Sequence, residues 1–175
     1  QDRSIINTSD LWHSWTTLRA KNNYLYLEEA NLQEHADLGF GAQWELEKSK
    51  ELKTEDLMVA FSQRDECKKT ADELFSKYDF LAMPSAQVFP FEKEKDYPKK
   101  ISDKNMDSYH RWMEVVTFSS LLGLPSISIP VGFSKFGLPM GMQIIGKKGN
   151  DINVVAFAKK YEEIFNHSTN RPNGF

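Results

Sequence analysis

A chain of 175 residues with 40% hydrophobic and 13% aromatic content has the size of one ordinary domain and enough apolar side chain for a core, which excludes a disordered tail. Lys and Arg number 22 against 25 Asp and Glu, a net charge of -3, so no general attraction to nucleic acid or to an anionic membrane is expected. Cys67 is the single cysteine and His13, His35, His110 and His167 are scattered, which excludes an internal disulfide and the usual zinc spacings and makes a reducing, cytoplasmic location the expectation.

No run of 18 consecutive apolar residues occurs, and the opening QDRSII has neither an initiator Met nor a signal-peptide pattern. The expectation is a soluble chain that begins in the middle of something longer.

From Ser9 to about Glu34, Leu11, Trp12, Trp15, Leu18, Leu25 and Leu27 predict a helix with Ser9 or Asp10 as N-cap. Residues 35–53 read as a loop followed by a short, solvated helical piece. Thr54 then offers an N-cap, Glu55 and Asp56 suit a helix N-terminus, and Leu57, Ala60, Phe61, Cys67, Ala71, Leu74 and Phe75 share a face. A long amphipathic helix results, with Cys67 on its buried side.

The apolar run Phe80-Leu81-Ala82-Met83-Pro84 has the profile of a buried strand, and a helix feeding a buried strand is α/β organisation. Residues 85–107, with Pro90, Pro98 and a dense charge run from Glu92 to Lys100, read as a long surface excursion of the kind that often carries function. A second helix is predicted from Asp107 or Ser108 to a left-handed Gly123 cap, with Pro125 beyond it.

Two runs, Ser126–Val131 and Met140–Gly146, flank a turn around Lys135–Pro139 and predict an antiparallel hairpin with Ile127, Ile129 and Val131 on one face. Gly141 and Gly146 mark places where a Cβ would obstruct close packing or a turn. Asp151 is the expected cap of a last helix that buries Val154, Phe157, Ala158, Tyr161 and Phe165, and residues 167–175 read as a polar, frayed tail. With no internal repeat, residues 1–175 read as a single structural unit.

Taken in order, YDFLAMPS (78–85), MDSYHRWMEVV (106–116), GLPSISIPVGF (123–133) and GLPMGMQIIG (137–146) resemble the C-terminal third of the amidase signature family. The resemblance covers roughly residues 40–166, with residues 1–40 only loosely matched. It implies an α/β fold, a mixed β-sheet flanked by helices, of which this chain is the C-terminal part.

The resemblance further implies hydrolysis of carboxamides to carboxylate and ammonia or amine, with no metal or organic cofactor. In that family a Ser-Ser-Lys triad does the chemistry: a nucleophilic serine, a bridging serine and a lysine base, beside a glycine-rich loop that donates N–H groups to the oxyanion. The Gly-Gly-Ser-Ser-Gly type of segment lies N-terminal to the part this chain resembles, and the chain has no Gly-Gly pair. No catalytic residue is therefore assigned, and the expected partners are a small-molecule amide, met through the parent enzyme, and the missing N-terminal part of the same fold. The alternative is a non-catalytic amidase-like domain that binds a ligand or partner.

Three decoys are set aside. Ser119-Ser120 has no flanking glycine and reads as small residues on a packed helix; His110 and Glu114, at i,i+4, read as an ordinary exposed pair; Cys67 reads as a packing thiol. In the family, residues after the Pro-Ser strand end and on the following helix wall the acyl pocket. This makes Ser85, Ala86, Gln87 and Trp112 the candidate substrate contacts, with Trp112 as a plain core residue the alternative.

Overall fold

The computed structural model describes residues 6–30 and 38–170. The chain divides into two compact units, residues 1–71 and 72–175. The end of the first predicted helix and the start of the following loop fall at 31–37, and the last residues of the tail at 171–175, outside the described residues.

In the first unit, α1 (Thr8–Glu29) starts earlier than the apolar periodicity suggested. Asn7, not Ser9 or Asp10, is the N-cap: its side-chain oxygen accepts from the Ser9 and Asp10 N–H groups at 3.1 and 3.2 Å. Leu11, Leu18 and Leu27 are buried as expected, while Leu25 is 47% exposed.

The second helix, α2 (Phe40–Glu51), corrects the expectation of a solvated piece. It packs on α1 and buries Glu45, Leu46 and Ser49. Glu45 survives burial because Arg19 Nε reaches it at 2.5 Å and Asn23 donates to its other oxygen. In α3 (Thr54–Phe75) Thr54 is the first helical residue rather than the cap. Asp56 reaches back to accept the Lys53 N–H at 2.8 Å. Ala60, Cys67, Ala71 and Leu74 are buried, but Phe61 is 45% exposed, with the Arg64 guanidinium over its ring. Where α1 meets α3, the buried Ser14 hydroxyl donates to the Ala60 carbonyl at 2.7 Å, small residues on both helices allowing the approach.

The second unit is α/β. Its main sheet has the order β1 (Phe80–Pro84), β5 (Pro139–Gly146), β4 (Ser126–Phe133), and both pairings are antiparallel, so the two outer strands run the same way. The β4–β5 hairpin forms as predicted. Its connection is tied by Ser134, whose carbonyl accepts from Gly137 N–H and whose N–H donates to the Leu138 carbonyl, with Gly137 at φ 78°. Ile127, Ile129 and Val131 alternate with the exposed Ser126, Ser128 and Pro130, and the alternation breaks after Val131, where the register shifts at a bulge between Pro130 and Gly132. β1 is only partly buried, and at the sheet margin rather than inside it.

Ile129 and Ile144 pack with Ala158 of α5 (Asp151–Phe165), joined by Phe80, Ile127, Met142 and Tyr161. Asn150, not Asp151, occupies the α5 cap position, and Phe157 and Phe165 of the predicted inner face are 37% and 52% exposed. Gly146 lets α5 approach: a Cβ there would lie 2.5 Å from Val154 Cγ2. Asn166 closes the helix in the left-handed region, and a 3₁₀ turn at His167–Thr169 follows, so this part of the tail is not frayed.

The excursion after β1 includes a two-stranded piece, β2 (Lys100–Ile101) with β3 (Lys104–Asn105), and buries Tyr97 and Met106. The single helix predicted from 107 or 108 to Gly123 is instead a 3₁₀ segment, Tyr109–Val116, running into a short α4 (Thr117–Leu122). Gly123 caps α4 at φ 64°, and the Leu124 N–H reaches back to the Ser119 carbonyl at 3.0 Å.

Candidate functional site

β1 ends at a proline, and the three residues after it are not free loop. The Ser85 N–H donates to the Gly141 carbonyl at 3.0 Å, which carries the β1–β5 pairing one residue past the strand. Gly141 is needed there, because a Cβ would stand 2.3 Å from Ser85 Oγ and 3.2 Å from Ser128 Oγ. Ser85 therefore closes the sheet against β5.

Gln87 faces the 3₁₀ segment. Its Oε1 accepts the Val115 N–H at 3.0 Å, while Gln143 Nε2, from the middle of β5, donates to the carbonyls of Pro84 and Val115, each at 3.0 Å. Gln143 is 3% exposed. Two carboxamides thus hold both polar groups of one residue in the segment that carries Trp112. This cross-bracing suits a 3₁₀ stretch of eight residues, longer than that geometry usually sustains alone.

Between these supports lies a recess of about 220 Å³ lined by Ala86, Val88, Phe89, Pro90, Phe91, Trp112, Pro139, Met140 and Gly141. Phe91 meets Trp112 edge to face at 5.6 Å, and Tyr109 meets it at 6.3 Å. No titratable side chain lines the recess. The only nitrogen or oxygen on any lining side chain is Trp112 Nε1, which is buried without a hydrogen-bond partner among the described residues.

Of the four predicted contacts, Ala86 and Trp112 line the recess together, whereas Ser85 and Gln87 are engaged with the backbone that shapes it. Sequence reasoning passed over Met140 and Gly141 as pocket residues, although both stand in the Gly-Leu-Pro-Met-Gly run, and over Gln143. A lone amide in the apolar run Met142-Gln143-Ile144-Ile145 was the available signal, since a polar residue there must be satisfied by something across the sheet.

The decoys resolve as structural. Ser119 Oγ and Ser120 Oγ donate to the carbonyls of Val116 and Thr117 three residues back. His110 is not on an exposed helix face: it is 4% exposed and lies in the 3₁₀ segment, where i and i+4 do not align. Glu114 instead meets Lys104 and Arg111, at 3.3 and 3.4 Å. Cys67 is buried, and that burial, with smaller contributions from the Asp10 and Glu66 carboxylates, pushes its thiol pKa above the ordinary value, away from a nucleophile's. Among the described residues no group of three or more His, Cys, Asp or Glu is placed to hold a metal, and no helix is long and apolar enough to cross a membrane.

The fold is that of amidase signature proteins, and the family model Amidase matches residues 17–155. The chain belongs to the amidase signature family. It is 36% identical over 98 residues to a glutamyl-tRNA(Gln) amidotransferase subunit of Thermodesulfovibrio yellowstonii, 55% of this chain and 19% of that protein. Over 104 residues it is 33% identical to a fatty acid amide hydrolase of Oryza sativa subsp. japonica, 59% of this chain and 17% of that protein. The chain thus aligns with under a fifth of the length of each of these relatives. Its fold is also that of a bacterial aryl acylamidase of the amidase signature enzymes, with a TM-score of 0.81 at 20% identity over 97% of this chain and 38% of that one.

Proposed function

We propose that the polypeptide carrying these residues hydrolyses a carboxamide C–N bond to carboxylate and ammonia or amine, and that this chain supplies part of the wall of its acyl pocket. The observation that carries the reading is the recess between the end of β1 and the 3₁₀ segment, in a chain that belongs to an amide-hydrolysing family. Ala86 and Trp112 touch the substrate; Ser85 and Gln87 set the positions of β5 and of the 3₁₀ segment and act through them.

The 175 residues by themselves do not turn over amides. They contain no Gly-Gly pair, and their one Ser119-Ser120 pair spends its hydroxyls on helix carbonyls, so neither feature offers an activated nucleophile beside preorganised oxyanion donors. The missing machinery belongs to the N-terminal part of the same fold, and the pocket is completed by it.

Ammonia release from a panel of primary amides tests both halves. The chain alone should stay at the no-enzyme rate, and the native polypeptide that carries it should exceed that rate. An inactive native polypeptide that still binds amides would make this an amidase-like binding module instead.

A further inference from the structure

The β4–β5 hairpin ends in a turn that carries large apolar side chains into solvent: Phe133 is 53% exposed, Phe136 78% and Leu138 36%. The turn is nonetheless well bonded within itself. The Ser134 N–H donates to the Leu138 carbonyl at 2.8 Å, and the Gly137 N–H donates to the Ser134 carbonyl at 2.9 Å. Ser134 Oγ accepts from the Phe136 and Leu138 N–H groups, each at 3.2 Å. Four of the five N–H groups at 134–138 are thus satisfied inside the turn, so moving it out of water costs few hydrogen bonds.

Charge points the same way. Acidic residues outnumber basic ones over the whole chain, yet the stretch from Val115 to Asn150 has no acid and carries Lys135, Lys147 and Lys148. Lys135 Nζ lies over the Phe136 ring at 4.9 Å and has no carboxylate partner among the described residues. An ammonium on a flexible stem beside exposed rings can stay among polar headgroups while the rings go deeper. At the same end of the sheet the His167 ring comes within 3.7 Å of the place a Gly132 Cβ would take, and the exposed Phe165 ring stacks on it at 6.1 Å. Glu163 of α5 is matched by Lys160 at 3.3 Å.

We propose that this turn is a peripheral membrane contact: Phe133, Phe136 and Leu138 enter the boundary between headgroups and acyl chains of an anionic bilayer, and Lys135 stays among the phosphates. The side chains stand around a five-residue turn beyond the last sheet pair, Phe133 with Pro139, and so form a point rather than a face. A fluid bilayer admits such a point without a matching cleft. The net charge of -3 gives no long-range pull, so attachment rests on local apolar burial and the one lysine. The contact requires no spanning segment, and no helix among the described residues is long and apolar enough to be one.

The test places an environment-sensitive fluorophore on Leu138→Cys in a Cys67→Ala background, in the 175-residue chain and in the native polypeptide that carries it. Vesicles of phosphatidylcholine with phosphatidylglycerol should shift its emission to the blue in both. Lipids brominated high on the acyl chain should quench it more than lipids brominated at the chain end. The same fluorophore on Ile152→Cys, a residue 84% exposed at the far end of the hairpin unit, should not respond. Phe136→Asp should weaken vesicle binding at least about tenfold. Lys135→Gln should weaken binding to the anionic vesicles about three- to fivefold and leave binding to pure phosphatidylcholine unchanged. No response at position 138, an equal response at 152, or binding untouched by Phe136→Asp overturns the proposal. So does a fluorophore at 138 that is already shielded in the native polypeptide without vesicles, because the turn is then covered by protein. None of these readouts depends on amide hydrolysis.

Discussion

Gln143, in the middle of β5, donates from Nε2 to the carbonyl of Val115 at 3.0 Å, tying the central strand of the sheet to the 3₁₀ segment that carries Trp112. The same nitrogen serves the Pro84 carbonyl at 3.0 Å. Gln143→Leu keeps the bulk and removes the donor for two partly buried acceptors, a loss of about 1–3 kcal/mol. Urea unfolding should record it. Gln143→Glu should cost at least as much, because a carboxylate at this 3% exposed position adds desolvation and cannot donate.

Gly141→Ala should destabilise the chain by about 1–3 kcal/mol, the usual range for forcing a methyl into a packed site. The added Cβ would stand 2.3 Å from Ser85 Oγ. Ser85→Ala removes that atom and leaves Ser85 Cβ at 3.4 Å, an ordinary contact. The double variant should therefore be more stable than Gly141→Ala alone, and a thermal-unfolding double-mutant cycle measures the coupling. Additive effects would mean that the two residues do not meet.

How much of this was readable from residues alone varies with the range of the cause. The β4–β5 hairpin, the left-handed Gly123 cap and the obstruction at Gly141 and Gly146 follow from local patterns, and the structure has all of them. What escaped depends on distant partners. Residues 40–51 look solvated because they are charged, yet Glu45 points inward to Arg19, 26 positions away. Residues 109–116 look α-helical, yet the Val115 N–H finds Gln87, 28 positions away. Ser85 and Gln87 were picked out beside Ala86 and Trp112, but only the structure separates those that line the recess from those that hold its frame.

The Arg19–Glu45 pair is half open, since the Arg19 side chain is 45% exposed and that of Glu45 only 3%. Arg19→Met removes the counter-charge of a buried carboxylate that Asn23 also holds, at a cost of about 1–3 kcal/mol, less than for a fully buried pair because solvent already screens the half-exposed arginine. Removing both charges with Arg19→Met and Glu45→Leu should recover most of that loss in chemical denaturation. A double variant as unstable as the single one would assign the cost to lost packing of the arginine stem.

Burial and two nearby carboxylates raise the Cys67 thiol pKa above its ordinary value of 9.0. A group whose pKa rises on folding stabilises the fold fully below its unfolded value, and that contribution is lost as pH climbs through the raised one. Comparison of Cys67→Ala with the parent in urea at pH 7.5 and at pH 10 should show the parent losing more stability over the interval. Iodoacetamide should label Cys67 slowly in the folded chain and quickly in denaturant.

Ammonia and amine release from a panel of carboxamides, measured on the native polypeptide that carries these residues and on the 175-residue chain beside it, bears most directly on the central claim. The account predicts turnover by the former, with kcat/KM for the amide it cleaves lowered about tenfold or more by Trp112→Ala through lost packing of the recess wall, and none by the latter. A native polypeptide that hydrolyses no amide, or turnover by the chain alone that survives repurification, would contradict it.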